Sequence, residues 1–474
     1  MERIDLADIT AVNERLGGWA APGEDIRPII IERLVIADDA LDALADVVRR
    51  MAGGGRVLLV CDRTPMRRGS DDLKHLVVDR LARVVSLDVR RLPDGPGELH
   101  PSREAAQQLA AGLASYAVVV SVGSGSLTDV AKYARHLAIE RNPAADVKFV
   151  CFPTAASVTA YTSALAVLTV SGVKRTLASR PPSAVVCDLR TLADAPPIMT
   201  QAGFGDVIAR SVAYGDYYLA NEIGMDDGFS TVPGRLLTWA EQDMIERAED
   251  VAASRLPGVR SVAEAILLAG MAMSVVNQTA PISGWEHVMS HFLDMTAAFD
   301  AREQALHGGQ VGAATLVSAR GYERAWANLD LERLCSDTGG DNLDGERQRL
   351  ESMFRRYDPS GAMTAEIWRD YERKLTRWAR AADARRRFAA QKRAGEYEEF
   401  LGRNVRPSEA IATALARAGA PRRFRDLDRP IPAASAHAAV QFSHLIRARF
   451  TLGDLLDRSG WLNARAAESI LAEA

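Results

Sequence analysis

Three of the chain's 8 histidines fall within residues 283–312, SGWEHVMSHFLDMTAAFDAREQALHGGQVG. His287 and His291 stand four residues apart, so on a helix they share one face, and His307 precedes Gly308 and Gly309. Neutral imidazoles bind zinc, nickel or iron. One carboxylate from elsewhere in the chain would complete three protein ligands and leave a position open for substrate. A helical histidine pair is also a common surface or capping arrangement, so the cluster needs a second element to give it meaning.

That element is the run Gly123-Ser124-Gly125-Ser126-Leu127-Thr128-Asp129, directly after the apolar stretch AVVVSV. Glycines between a strand and a helix let the backbone approach a pyrophosphate, whose charge is met by the unpaired N–H groups of the helix start. Thr128 stands where the third glycine of the usual fingerprint would be. The same residues also describe a tight turn with Ser126 or Thr128 as helix cap. Asp62 ends an earlier apolar run and could bond ribose hydroxyls, whereas Arg63, Arg67 and Arg68 could hold a 2′-phosphate, which leaves NAD and NADP both open.

The elements that must position these groups change character along the chain. Short apolar runs at 57–61, 84–89, 117–122, 148–152 and 184–187 alternate with helical sequence, the pattern of a parallel sheet covered by helices. Residues 165–176 read as a hairpin turning at Ser171-Gly172, with Lys174 and Arg175 as a charged end or a phosphate hold. After Pro196-Pro197 amphipathic helical sequence dominates, as at 262–276 and 367–392, with exposed loops expected at 225–233 and 337–345. The expectation is an α/β Rossmann-like domain over 1–195 and an all-helical domain over 196–474.

Composition narrows the partners. With 58 basic and 62 acidic residues the net charge is −4, which gives no electrostatic reason to expect nucleic acid or an anionic membrane. The N-terminus carries acidic residues where a signal peptide has a basic flank, and no run of about 18 apolar residues stands out as a membrane span. Cys61, Cys151, Cys187 and Cys335 show no paired spacing, so reduced thiols and a cytoplasmic location are expected.

Seven motifs in order carry a resemblance: GSGSLTDVAK at 123–132, FPTAAS at 152–157, GVKRT at 172–176, PPSAVVCDLRTLADAPP at 181–197, AGFGD at 202–206, SGWEHVMSH at 283–291 and LHGGQVG at 306–312. Together they resemble the sn-glycerol-1-phosphate dehydrogenases of the iron-containing alcohol dehydrogenase, glycerol dehydrogenase and dehydroquinate synthase superfamily, over about residues 30–320. SHLIRARFTLGDLL at 443–456 is similar to the closing helical segment of that family. The resemblance implies a dehydroquinate synthase-like fold with the active site between the two domains. It implies NAD(H) or NADP(H), one divalent metal (Zn, Ni or Fe), a small-molecule substrate and a homo-oligomer.

By position, Asp206, His287 and His307 match the metal ligands of the family, and His291 would face substrate. Thr154 and Ser157 would lie along the nicotinamide and pyrophosphate, with Asp129 and Lys132 shaping the cleft floor. Lys132, Thr159 and Lys174 stand as substrate contacts. Two departures touch the substrate: Thr159 replaces the aspartate of the family that faces substrate hydroxyls, and Gly309 replaces a glutamate near the metal. A small phosphorylated ketone or aldehyde interconverting with its alcohol is the leading expectation. A dehydroquinate-synthase-like cyclase and a non-catalytic nucleotide-binding relative are the alternatives.

Overall fold

The computed structural model describes residues 3–93, 98–337, 339 and 342–472. Its sheet consists of β1 (Arg33–Ala37), β2 (Val57–Asp62), β5 (Leu87–Leu92), β6 (Val118–Gly123), β7 (Lys148–Pro153) and β10 (Ala184–Asp188), all parallel, in the order β1-β10-β7-β6-β2-β5. Two-residue strands β3 (Arg67–Arg68) and β4 (Asp71–Asp72) pair with each other, and β8 (Leu165–Val170) with β9 (Val173–Ala178) forms the expected hairpin. The central strands are apolar throughout because helices cover both faces. The order in which strands are added to the sheet reverses between β2 and β6, so a crevice opens outside their carboxyl ends.

The edges of the sheet depart from the sequence reading. β1 is an additional five-residue edge strand, too short and too interrupted by Glu32-Arg33 to stand out. β5 begins at Leu87, three residues later than the apolar run suggests, because its register sets Leu87 opposite Val57. Residues 3–31 precede the sheet in sequence yet attach to the helical half. Arg27 donates its N–H to the Val275 carbonyl, and Arg3 bonds Glu264.

Helices account for the chain after Pro196-Pro197, with Pro197 opening the first, Pro197–Ile208. The helix Leu256–Val275 is 20 residues long with a hydropathy of 1.4, enough by length and composition to cross a membrane, contrary to the expectation that no such run exists. It is 89% buried inside the fold, so its apolarity on every side is that of a central core helix. The single helical stretch expected at 367–392 is two helices, Ala362–Arg380 and Ala382–Arg393, joined at Ala381. Helix Val232–Glu246 starts inside the loop expected at 225–233. Of the loop expected at 337–345, residues 338, 340 and 341 lie outside the described residues, and a helix starts at Leu343.

Candidate metal and cofactor site

Three helices carry the candidate ligands. Asp206 lies in Pro197–Ile208, His287 and His291 in Trp285–Thr296, and His307 opens His307–Ala325. Asp206 is therefore near the end of its helix, so a helix-start carboxylate is not its role. The first and third helices cross with backbones almost touching. A Cβ on Gly308 would lie 1.9 Å from the Ala202 carbonyl oxygen, and one on Gly205 2.2 Å from that of Gly308. Only glycine permits that approach, and it brings Asp206 beside His307.

Asp206, His287 and His307 each offer a ligand atom within 4.8 Å of the others. His287 Nε2 is 3.2 Å from Asp206 Oδ1, and His307 Nε2 is 3.7 Å from the same oxygen. Asp206 Oδ2 accepts the backbone N–H of Thr159 at 2.8 Å. Behind the ligands, His287 Nδ1 donates to Glu286 Oε1 at 2.9 Å and His307 Nδ1 is hydrogen-bonded to Ser290 Oγ at 2.9 Å. Each outer nitrogen is thus occupied and each Nε2 faces the carboxylate, the orientation a metal requires. A carboxylate with two imidazoles suits zinc, nickel and iron alike.

Electrostatics follow from burial. Burial pushes Asp206 up, but the hydrogen bond from His287 and the nearby imidazoles outweigh it and hold the carboxyl below its ordinary value. Burial lowers His287, yet hydrogen bonds to Asp206 and Glu286 raise it to about 9. His307 is pushed down to about 4 by burial. His291 lies well below its ordinary value because of burial and the Arg447 guanidinium, whose Nη2 donates to His291 Nδ1 at 2.8 Å. Both effects favour the neutral imidazole of His291.

The cluster forms one wall of a cavity of about 1340 Å³. Ser124, Gly125, Ser126, Asp129, Ser157, Thr159, Lys174, His287, His291 and His307 all border it. Helix Gly125–Arg141 starts directly after β6, with Ser124 at the cap and no side-chain cap hydrogen bond. This leaves amide donors at its start for an anion, rather than the Ser126 or Thr128 cap.

Other expected contacts are placed differently. Among the described residues, Gly123, Thr154, Asp62 and Lys132 are not part of the cavity wall. Gly123 and Thr154 support the turn through the Thr154 N–H to Gly123 carbonyl bond of 3.2 Å. Asp62 Oδ1 accepts from Lys74 Nζ at 2.7 Å and from the Thr64 N–H at 3.0 Å. Arg68 is held by Asp188 and Asp39 and so is not free for a 2′-phosphate. Lys132 requires a correction as a substrate contact. It is fully buried, and its ammonium is taken up by Asp129 at 3.0 Å and the Ala160 carbonyl at 2.8 Å.

Lys174 meets Asp294, whose other oxygen accepts from Gln310 Nε2 at 2.8 Å. Arg175 is committed to Glu366 and Asp370 of the helix Ala362–Arg380. That helix thereby forms part of the cavity wall, a role its charged sequence did not disclose. Glu286, Ser290, Arg447 and Arg449 also went unnoticed. Glu286 and Ser290 could have been found from their positions directly before His287 and His291, and the two arginines from the RAR run at 447–449.

Comparison with known proteins agrees with this geometry. The family model described as iron-containing alcohol dehydrogenase matches residues 35–196. A glycerol-1-phosphate dehydrogenase [NAD(P)+] of Bacillus subtilis (strain 168) is 30% identical over 357 residues, covering 73% of this chain and 82% of the relative. The protein of the same name from Thermococcus sibiricus is 30% identical over 314 residues, 66% of this chain and 84% of its own length. The crystal structure of a probable glycerol dehydrogenase from Sinorhizobium meliloti 1021 superposes with a TM-score of 0.53 at 19% identity, covering 93% of this chain and 97% of that one, a likeness of fold.

Proposed function

From the premise that this chain belongs to the glycerol-1-phosphate dehydrogenase family of iron-containing alcohol dehydrogenases, and is a metal-dependent NAD(P)-linked oxidoreductase, we propose that it interconverts a small phosphorylated ketone or aldehyde with its alcohol. Dihydroxyacetone phosphate and glycerol 1-phosphate are the first pair to test. The carrying observation is the convergence of Asp206, His287 and His307 in the wall of a cavity that also reaches the uncapped helix start at Ser124.

Asp206, His287 and His307 would hold a divalent metal, which would supply the Lewis acidity to polarise a carbonyl, and a bound nicotinamide would supply the hydride. The chain's own contribution is positioning. Glu286 and Ser290 aim the two imidazoles, and the Thr159 amide fixes Asp206. The amides after Ser124 would meet the pyrophosphate of the cofactor. Thr159 presents a neutral hydroxyl where the family resemblance expects a carboxylate, and a Cβ at Gly309 would touch only Leu427 within 4 Å. Both support a substrate contact that differs from the usual one in hydroxyl recognition rather than in hydride chemistry.

In this reading residues 1–195 form the nucleotide domain and 196–474 the metal and substrate domain, in a cytoplasmic homo-oligomer without nucleic acid or membrane as partner. Four free cysteines, three of them buried, agree with a reducing compartment. The test is metal analysis combined with NADH and NADPH absorbance across a panel of phosphorylated and unphosphorylated carbonyls. Metal-dependent net oxidation of the reduced cofactor is expected. Its absence with every carbonyl would overturn the proposal.

A further inference from the structure

Two guanidinium groups at the metal end of the cavity, Arg447 and Arg449, have no carboxylate partner among the described residues. Arg447 Nη2 bonds His291 Nδ1. Arg449 bonds the Ser283 carbonyl, Ser283 Oγ at 2.6 Å and Thr279 Oγ1. Several neighbours on the same wall are in ion pairs: Lys174 with Asp294, and Arg175, Arg369 and Arg373 with the shared carboxylates Glu366 and Asp370. Burial and the Arg449 charge lower Arg447 to about 9, an independent sign that the two cations feel each other. Glu286, Asp226 and Asp216 offset part of the Arg449 charge from a distance and Asp370 part of that of Arg447, but neither guanidinium is in direct contact with a carboxylate, and an arriving anion could pair with both.

We propose that Arg447 and Arg449 form the subsite for the phosphate group of the substrate and select a dianionic phosphate monoester over neutral polyols and monoanionic carboxylates. The inference rests on the oxidoreductase reading above and names the far end of its substrate. A phosphate monoester carries roughly −1.5 to −2 charges at neutral pH, matching two guanidinium groups, whose planar donor forks suit its oxygens. His291 lies between this subsite and the metal cluster, its ring centroid 5.6 Å from that of His307. Anchor and reacting carbon are thus separated by about the width of one imidazole, which suits a short carbon chain. Because Arg447 donates to Nδ1, the proton of neutral His291 sits on Nε2, where it can donate to a substrate oxygen.

The experiment is calorimetric titration of the metal-loaded protein, saturated with NADH so that the turn at Ser124 is filled, with inorganic phosphate and separately with acetate. Phosphate is expected to bind at least ten-fold more tightly than acetate. R447A and R449A should each weaken phosphate at least ten-fold, and R447K should fall between R447A and wild type, with metal content and melting temperature retained. Equal binding of acetate and phosphate, or phosphate binding indifferent to both arginines, would overturn the subsite. Turnover of unphosphorylated carbonyls with no arginine-dependent phosphate binding would remove the subsite and leave the oxidoreductase. Arginine-dependent phosphate binding without turnover of any carbonyl would do the reverse.

Discussion

The Glu286 carboxylate accepts the Nδ1 proton of His287 at 2.9 Å and the Gly284 N–H at 2.6 Å, so one side chain fixes both the tautomer of the imidazole and the start of its helix. Truncation by E286A should weaken metal binding about 10–100-fold, the range usual for an outer partner of a ligating histidine. E286Q, which keeps an acceptor oxygen, should lose less. Competition against a chelator of known affinity measures both, and equal affinity in all three proteins would remove Glu286 from the metal site.

H307A removes one of three ligands from the surface of a cavity rather than from the core. Loss of retained metal and of turnover is expected, with far-UV circular dichroism and melting of the metal-free protein close to wild type. Unaltered turnover would refute the assignment of His307.

Lys132 answers Asp129 inside the fold, so its replacement tests stability rather than substrate affinity. K132M leaves a buried carboxylate without its cation and should destabilise by about 3–5 kcal/mol. Denaturant unfolding checks this. A stable variant with only a raised KM would restore Lys132 to the substrate.

Asp216 gives a pH signature. Burial and the Glu286 carboxylate raise it to about 7, while its oxygens accept the Trp285 N–H at 2.9 Å and the Tyr322 hydroxyl at 2.6 Å. Between its ordinary value of 3.8 and that raised value the folded protein holds a proton the unfolded chain has released. Its contribution to stability is therefore greatest at low pH and is lost as pH rises through about 7. Metal-free wild type should lose stability relative to D216N from pH about 5 to about 8, a span that brackets the raised value. Parallel stability curves would contradict the shift.

The crossing at Gly308 permits no side chain. G308A places a methyl 1.9 Å from the Ala202 carbonyl oxygen and should push the helices of Asp206 and His307 apart. The expected result is a fall in metal affinity larger than that of G309A, whose Cβ meets only Leu427 at 3.1 Å. Chelator competition on the two variants makes the comparison.

The parallel sheet, the hairpin and the helical second half were legible because their signals are local: continuous apolar runs, Ser171-Gly172 and Pro196-Pro197. The grouping of His287 with His307 was legible from their closeness in sequence, and Asp206 joined them only through the ordered motifs, since 81 residues separate Asp206 from His287. What escaped were partnerships made in space. Asp62, Lys132 and Arg68 look free in sequence, but Lys74, Asp129, Asp188 and Asp39 occupy them. The same blindness hid Arg447 and Arg449, whose lack of a direct carboxylate partner among the described residues is visible only in space.

The helix Ala362–Arg380 is tied at two points: Glu366 and Asp370 grip Arg175 on the hairpin, and Lys374 reaches Asp454 at 2.7 Å and the His444 carbonyl. It therefore works as a crossbar along the cavity wall. The hairpin and the closing segment are thereby braced against one another, so that neither can shift without breaking a buried cation–carboxylate contact.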